Sequence, residues 1–159
     1  MNQQKKRRAL FDLEDLLTYR ISSIYSRLSV GTAMELSKPF NLVLREWRVM
    51  AMLARHEPLS ASELVARSPL DKASASRAIA NLTRRKLVSV SASEDDARVK
   101  VVRLTDAGWD LYAQVAPKSV ARQKAIMSAL SASERRDLVS MLERIEREVI
   151  RYYSQMSAS

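Results

Sequence analysis

The sequence predicts a mainly α-helical protein with one small β-hairpin. Apolar residues recur at helical spacing near both ends of the chain, and Ser-x-x-Glu capping patterns at residues 60–63 and 131–134 mark two helix starts. Two β-branched runs, at residues 87–90 and 99–104, flank the polar segment 91–98, which is typical of a hairpin. With 159 residues, the chain is long enough for one domain with a hydrophobic core, or for a small lobe with long helical extensions.

The N-terminal part of the chain is predicted to form one long amphipathic helix followed by a break. A basic arm at residues 5–8 precedes the helix and is either a solubilising tail or an additional phosphate contact. Gly31 and Pro39 predict a broken connection over residues 30–41. The apolar stripe of the helix consists of Leu10, Leu13, Leu17, Ile21, Ile24 and Leu28, widened by Phe11, Leu16 and Tyr25.

Two shorter helices are expected next. Residues 44–55 carry apolar side chains near helical spacing, and the Glu-Pro pair at residues 57–58 should end that helix. The capping pattern at residues 60–63 opens a second helix, which reaches about Arg67. The Ser-Pro-Leu segment at residues 68–70 separates it from the helix that follows.

A helix over residues 72–86 carries the most informative pattern in the chain. At about 3.6 residues per turn, Ala75, Ile79 and Leu82 form one apolar stripe that should face a core, and Asp71 is expected to cap the helix. The opposite face collects Ser74, Arg77, Asn81 and Arg84. Arginine and asparagine have the donor geometry for base edges and phosphates, so this face suits a polyanion.

The order of these segments predicts a winged helix-turn-helix. Two short helices joined by a tight turn make the helix-turn-helix, and the hairpin after them would be its wing. A DNA major groove about 12 Å wide accepts one helix, so residues 72–86 are the candidate recognition helix. The hairpin does not alternate cleanly, since Val99 and Val101 share a face with Arg103, and its register is therefore not predicted.

Four short motifs follow one another along the chain. They are Asp71-Lys72-Ala73-Ser74-Ala75-Ser76-Arg77, Leu87-Val88, Asp96-Ala97-Arg98 and Leu104-Thr105-Asp106-Ala107-Gly108. This ordered set, within residues 44–108, resembles the MarR family of transcription regulators. The resemblance implies a DNA-binding winged lobe, N- and C-terminal helices that intertwine in a homodimer, and repression as the usual outcome.

The sequence departs from the family pattern at three positions. Lys86 stands where the family usually has a helix-ending glycine, so either Lys86 adopts a left-handed conformation or the turn differs. Ala97 and Val90 stand where arginines are common, so the wing should bind DNA less tightly than in relatives.

Two more helices are expected after the hairpin. Thr105 can cap a helix that runs through Val115, and Pro117 should kink or split it near Ala116. The capping pattern at residues 131–134 opens the last helix. Its apolar stripe consists of Leu138, Leu142, Ile145, Val149 and Tyr152.

These segments give a domain organisation. Residues 1–159 form a single MarR-like chain, with a winged lobe at residues 42–116 and dimerisation helices at residues 9–38 and 117–156. The small lobe cannot cover both terminal stripes, so a two-fold homodimer is expected. An intramolecular helical bundle is the alternative.

The expected DNA contacts lie on the candidate recognition helix and the wing. Lys72 and Arg85 should lie nearer phosphate, and Arg98 should reach the adjacent minor groove. Asp96 is expected to orient Arg98 or to pair with an arginine of the recognition helix. For each basic residue the alternative is an ordinary solvated side chain. The full set is Lys72, Ser74, Ser76, Arg77, Asn81, Arg84, Arg85, Arg98 and Lys100.

The resemblance also implies a small aromatic or anionic effector, bound in a crevice between the dimer helices and the winged lobe. Aromatic walls and positive charge suit a carboxylate there. Core packing or a surface ion pair is the alternative for each candidate residue. The candidates are Tyr19, Arg20, Ser23, Arg27, Met34, Trp47 and Trp109.

Composition agrees with a nucleic-acid partner. A net charge of +9 in 18.0 kDa favours nucleic acid or an anionic membrane surface. The absence of cysteine excludes thiol redox sensing and cysteine-based zinc sites. The sequence has neither an apolar run of membrane-spanning length nor a signal-peptide pattern, so a cytoplasmic protein without a membrane partner is expected.

An enzyme is not expected. His56 is the only histidine, which rules out a histidine triad or a multi-histidine metal site, and the two glycines form no phosphate-binding loop. The acids at residues 94–96 are more often solvated than metal-bound, so no metal or cofactor is expected. The alternative function is a sequence-neutral architectural DNA-binding protein without a ligand switch.

Overall fold

The computed structural model describes residues 12–157, which form six α-helices and one three-stranded antiparallel sheet. The predicted fold class, mainly helical with a small hairpin wing, is confirmed. The basic arm at residues 5–8 and the stripe residues Leu10 and Phe11 lie outside the described residues. The chain divides into two compact units, with the boundary between Val115 and Ala116.

In the part of the first unit that the structure describes, a short 3-10 turn precedes the long helix. Asp12 caps this turn, Leu13–Asp15, because its carboxylate accepts the backbone N–H of Glu14 at 3.0 Å. Leu16 then adopts an extended conformation, with ψ of 123°. The regular helix α1, Leu17–Phe40, therefore begins later than the apolar spacing predicts.

Helix α1 runs through the segment where a break was predicted, so that prediction is wrong. Gly31 lies within the helix, where glycine costs only about 1 kcal/mol relative to alanine. Pro39 lies in the last turn and removes only one backbone donor there. Thr32 and Leu36 are buried, which anchors this part of α1, and the helix ends at Asn41 in a left-handed conformation.

The predicted helix-turn-helix is present in the first unit. Helix α2, Leu44–His56, precedes the short helix α3, Ala61–Arg67, and the candidate recognition helix α4, Lys72–Arg84. The predicted capping box opens α3, since Ser60 donates its N–H to the carboxylate of Glu63 at 2.8 Å and accepts the Glu63 N–H at 3.2 Å.

The sheet has the strand order β1, β3, β2. Strands β2, Val88–Ala92, and β3, Lys100–Leu104, form the predicted hairpin, in which Val90 pairs with Val102. Strand β1, Leu59–Ser60, was not predicted, because two residues are too short to show a pattern. Since β3 has a neighbour on each side and is buried on both faces at residues 101 and 102, its sequence does not alternate cleanly.

The core of the first unit lies between α2, α3, α4 and the sheet. Its buried side chains come from every one of these elements, so one side of the helix-turn-helix is held by packing against the core. The core includes Val49, Met50, Leu53, Leu59, Leu64, Ala75, Ala78, Leu82, Val88, Val102 and Leu104.

Helix α5 spans Asp106–Met127, and α6 spans Ala132–Ser157. The second unit contains the part of α5 after Val115 and the whole of α6. Helix α5 continues through Pro117, so the predicted split near Ala116 does not occur. The second predicted capping box opens α6: Ser131 donates its N–H to the Glu134 carboxylate at 2.7 Å. None of the described helices is long and apolar enough to cross a membrane.

Candidate nucleic-acid interface

A hydrogen-bonded cap fixes the start of the candidate recognition helix α4. The Asp71 carboxylate accepts the Ser74 N–H at 2.8 Å and the Ser74 hydroxyl at 2.7 Å. The two bonds lower the pKa of Asp71. The Ser74 hydroxyl also accepts a bond from Arg77 at 3.3 Å, so this predicted contact residue already has partners within its own helix.

The two faces of α4 have different surroundings. Ala75 and Leu82 are fully buried, as the stripe predicts, while Ile79 is only half-buried and Ala78 takes part in the buried face. Because small alanines form most of that face, α4 packs close to the core. The opposite face has Lys72, Ser76, Arg77 and Arg84 exposed, with Ser74 and Asn81 half-buried.

Arg84 and Asn81 form a pair at the C-terminal end of this face. Arg84 donates to the Asn81 side-chain oxygen at 3.1 Å. A bond of this kind holds the guanidinium over the helix surface, where its remaining donors point to solvent. The predicted set Ser74, Arg77, Asn81 and Arg84 therefore lies on one face, linked in two hydrogen-bonded pairs three residues apart.

The turn after α4 requires a left-handed residue. Lys86 has a φ of 58°, which is the first of the two outcomes expected for a lysine in place of glycine. Its N–H donates to the Thr83 carbonyl at 2.9 Å, and Leu87 donates to the Leu82 carbonyl at 2.9 Å. These bonds close the helix end and direct the chain into β2.

The Leu-Thr-x-x-Gly motif holds the base of the wing against this turn. The Thr105 hydroxyl donates to the Lys86 carbonyl at 2.7 Å and accepts the Gly108 N–H at 3.1 Å. A Cβ at Gly108 would lie 2.0 Å from the Leu87 carbonyl oxygen, so no side chain fits. The sequence marked Thr105 as a cap, but it gave no sign of the close approach that requires Gly108.

The wing carries two ion pairs. Asp96 accepts hydrogen bonds from the Arg98 backbone N–H at 2.9 Å and from Arg98 Nε at 3.2 Å, which is the first of the two contacts expected of Asp96. The Arg98 side chain remains 92% exposed. A second pair, in which Arg103 donates to Glu94 at 3.4 Å, was missed, because Glu94 lies in the loop of the hairpin, whose register was not predicted. Lys100 is exposed at the start of β3.

Arg85, for which a phosphate contact is predicted, forms hydrogen bonds within the protein. Its guanidinium donates to the backbone carbonyls of Asn41 at 2.7 Å and Phe40 at 3.3 Å, and to the Glu46 carboxylate at 3.4 Å. The sequence did not indicate these partners, because they are remote from Arg85 along the chain. The donors of Arg85 face the protein, whereas the side chain of the neighbouring Arg84 is exposed.

The predicted effector residues are spread over three helices of the first unit. Tyr19, Arg20, Arg27 and Met34 are exposed on α1, and Ser23 is half-buried there. Trp47 was expected to line a crevice, but it is only 8% exposed and stacks on Tyr112 with 5.6 Å between ring centroids. Trp109 contacts the same tyrosine edge-on and remains 39% exposed.

A tyrosine and an arginine on neighbouring helices form a contact that the sequence did not indicate. Arg48 donates to the Tyr25 hydroxyl at 3.3 and 3.4 Å and lies 5.6 Å from its ring centroid. The hydrogen bond from Arg48 lowers the pKa of Tyr25. Periodicity had placed Tyr25 in the apolar stripe of α1, which gave no reason to expect a polar partner.

Comparison with known proteins identifies relatives of this chain. The MarR family model matches residues 40–99. An uncharacterised helix-turn-helix transcriptional regulator of Staphylococcus aureus (strain MSSA476) is 23% identical over 113 residues, which cover 70% of this chain and 77% of that protein. The uncharacterised regulator YdgJ of Bacillus subtilis (strain 168) is 27% identical over 101 residues, covering 64% and 62%.

Solved structures share the fold. A MarR/EmrR family transcriptional regulator from Acinetobacter sp. ADP1 matches with a TM-score of 0.83 and 22% identity, covering 89% of this chain and 99% of that one. The MepR–DNA complex of S. aureus matches with a TM-score of 0.79 and 18% identity, covering 86% and 98%. Bordetella bronchiseptica BpsR, whose DNA binding is regulated by 6-hydroxynicotinic acid, matches with a TM-score of 0.76 and 22% identity, covering 86% and 96%.

Proposed function

We propose that this chain is a DNA-binding transcriptional regulator of the MarR family and a homodimeric repressor of a pseudo-palindromic operator. The match of the MarR family model to residues 40–99 and the similar helix-turn-helix regulators support this proposal. A small aromatic acid releases the repressor from DNA. Two recognition helices related by a two-fold axis read half-sites about one helical turn apart.

The exposed face of α4 carries this proposal. Burial of Ala75, Ala78 and Leu82 fixes which side of the helix is outward. That side presents Arg77 and Arg84, together with Ser76, as donors for base edges and phosphates. Lys72 lies at the N-terminal end of the same helix, where it contacts phosphate.

The wing extends this surface. Asp96 holds the Arg98 backbone and Nε, while the rest of the guanidinium is free to enter a minor groove. Narrow A·T-rich minor grooves concentrate negative potential and favour an inserted arginine. Lys100 adds a phosphate contact at the base of the wing.

The exposed apolar faces of α1 and α6 support a homodimer. Large contiguous apolar patches are rare on monomeric proteins and usually mark an interface, and a two-fold pairing with a second copy would cover both. On α1 the exposed residues are Leu17, Ile21, Ile24 and Leu28. On α6 they are Met141, Leu142, Val149, Ile150, Tyr152, Tyr153 and Met156.

An aromatic acid suits the polar face of α1. Arg20 and Arg27 lie two turns apart there and are exposed, as is Tyr19. An arginine fork binds a carboxylate with two parallel hydrogen bonds, and an aromatic side chain covers the ring. The regulation of BpsR by 6-hydroxynicotinic acid provides the chemical precedent.

Equilibrium binding tests the DNA-contacting residues. The wild-type chain first selects duplexes from a randomised library, and fluorescence anisotropy then compares the selected duplex with a random one at matched salt. Arg77→Ala and Arg98→Ala should each weaken binding to the selected duplex by about tenfold or more, which corresponds to one lost charge-assisted contact. Arg136→Ala, which removes an exposed arginine from α6, is the matched control and should leave binding unchanged.

Two results would contradict the proposal. Unchanged affinity in both variants would remove Arg77 and Arg98 from the interface. Equal affinity of the wild-type chain for selected and random duplexes would indicate a sequence-neutral architectural protein.

Ligand titration tests the effector. Addition of 6-hydroxynicotinic acid or benzoate to the complex with the selected duplex should release DNA, because a ligand that prefers one state shifts the population towards it. Arg27→Ala should raise the ligand concentration needed for release without changing affinity for DNA. Release that is equally sensitive in this variant would exclude Arg27 from the ligand site.

A further inference from the structure

Arg85 joins three segments that meet at one corner of the first unit. It follows α4 directly, and its guanidinium reaches the carbonyls of Phe40 and Asn41 at the end of α1. The same guanidinium reaches the carboxylate of Glu46 in the first turn of α2. One side chain thus connects the end of α4 to α1 and α2.

The partners of Arg85 are chemically matched to a guanidinium. The carbonyls at the C-terminal end of α1 carry the negative end of the helix dipole. The side chain of Glu46 is only 6% exposed, and besides Arg85 it accepts the Val43 N–H at 3.1 Å. A buried carboxylate needs such partners. The packing of the end of α1 against the first turn of α2 therefore depends on a cation with several fixed donors at this position.

We propose that Arg85 is a positioning residue for DNA recognition. It fixes the C-terminal end of α4 against the corner between α1 and α2, and it acts on DNA through the orientation of the recognition helix and not through a phosphate. The side chain is 27% exposed, and its bonds to Phe40, Asn41 and Glu46 use both terminal nitrogens of the guanidinium. The neighbouring Arg84 is exposed and makes the direct contact.

The salt dependence of DNA binding distinguishes the two roles. Loss of a phosphate contact lowers the slope of log K against log salt by about 0.9 for each contact, and weakens selected and random duplexes alike. Loss of a positioning residue weakens the selected duplex alone, because base contacts need the correct orientation while phosphate contacts tolerate small shifts. A residue needed only for stability would change the melting temperature but not the preference of the folded protein for the selected duplex.

The experiment compares Arg85→Lys, Arg85→Ala and Arg84→Ala in the full chain, on the selected and random duplexes over a range of salt. Lysine keeps the charge but cannot span the three acceptors of Arg85. Both Arg85 variants should lose about tenfold in affinity for the selected duplex, with the slope and the random-duplex affinity unchanged. Arg84→Ala should lower the slope and weaken binding to both duplexes. Circular dichroism gives the folded fraction of each variant. If Arg85→Ala is unfolded, the comparison of Arg85→Lys with the wild type is sufficient for the test.

Two outcomes would overturn the inference. Either Arg85→Lys binds the selected duplex as tightly as the wild type, or Arg85→Ala lowers the slope as Arg84→Ala does. The inference rests on the proposed DNA-binding function, but the two fail separately. If the wild-type chain enriches no duplex from the library, the proposed function fails, whereas a normal selection with an unaffected Arg85→Lys rejects only this role of Arg85.

Discussion

The two compact units of this chain differ in how far their apolar side chains are buried. In the first unit, α2, α3, α4 and the sheet surround a core in which Leu53, Leu64 and Leu82 have no exposed surface. In the second unit, no described side chain of α6 is buried, although that helix has a regular apolar stripe. Among the described residues, every buried apolar side chain lies at or before Val115.

This difference separates two kinds of stability. The first unit buries its own apolar surface and can hold α4 in a fixed orientation. The apolar surface of α6 gains its stabilising free energy only when another surface covers it, and we propose that the other surface belongs to a second copy of the chain. The two units should therefore respond differently to the same substitution.

The largest difference should come from shortening one leucine in each unit. Leu82→Ala removes a fully buried side chain and should lower the free energy of unfolding by about 2–5 kcal/mol. Leu142→Ala removes a side chain that is 44% exposed, so its cost should appear mainly as weaker self-association. Chemical denaturation at several protein concentrations measures both effects.

The concentration dependence decides between the two effects. The loss caused by Leu82→Ala should be the same at every protein concentration, whereas the loss caused by Leu142→Ala should shrink on dilution, because association stabilises neither protein once both are monomeric. A Leu142→Ala variant that loses the same free energy at every concentration would indicate that α6 is covered within its own chain.

A glycine at the base of the wing should be the next most sensitive position. Gly108→Ala places a Cβ 2.0 Å from the Leu87 carbonyl oxygen, so the backbone must move, at a cost of about 1–3 kcal/mol. Gly31→Ala is the matched control, because nothing lies within 4 Å of a Cβ at that helical position. It should be neutral or stabilising, and thermal unfolding monitored by circular dichroism compares the two. Equal melting temperatures would show that the wing base tolerates a side chain.

The two capping boxes allow a smaller comparison between the units. Ser60 is 7% exposed, whereas Ser131 is exposed, although both cap a helix through the same pattern. Ser60→Ala should cost about 1–2 kcal/mol and Ser131→Ala about 0.5 kcal/mol, because burial adds the desolvation of unpaired groups. Denaturant titration of both variants measures these costs. A larger loss of stability for Ser131→Ala would contradict the interpretation that the buried cap of the first unit contributes more than the exposed cap of the second.

The smallest effect is a pH dependence that should be the same in both units. The Ser60 backbone and hydroxyl lower the pKa of Glu63, and the Ser131 hydroxyl and backbone lower the pKa of Glu134. Since a lowered pKa favours the charged form in the folded state, each box stabilises the protein above about pH 4.3 and loses that contribution as the pH falls towards the folded pKa. The advantage of the wild type over Glu63→Gln or Glu134→Gln should therefore shrink below that pH. An advantage that stays constant down to acidic pH would mean that these carboxylates are not charged caps.

Local patterns were sufficient to predict much of this fold. The capping boxes, the Asp71 cap and the outward face of α4 each depend on residues three or four positions apart, so the sequence shows them directly. The left-handed Lys86 is one of the two outcomes expected where a helix end lacks a glycine. The hairpin strands were found, but not β1, which has only two residues.

Contacts between distant residues were the ones that sequence could not predict. Arg85 has an ordinary pattern for a surface helix end, and only the fold brings Phe40, Asn41 and Glu46 to it. Trp47 was assigned to a ligand crevice because nothing local indicates that Tyr112 stacks on it. Gly31 and Pro39 were interpreted as a break, since local rules ignore the tertiary anchoring by residues 32 and 36.

The most direct test of the account is DNA cleavage by a probe placed on the outward face of α4. The chain has no cysteine, so Ala80→Cys, an exposed position on α4, can carry a single iron chelate, and Ser140→Cys on α6 serves as the control. On the selected duplex, the probe at position 80 should cut in two clusters about 10 base pairs apart, while the control should give no localised cuts. If the probe at position 80 cleaves no more selectively than the control, α4 does not enter the groove and the account is wrong.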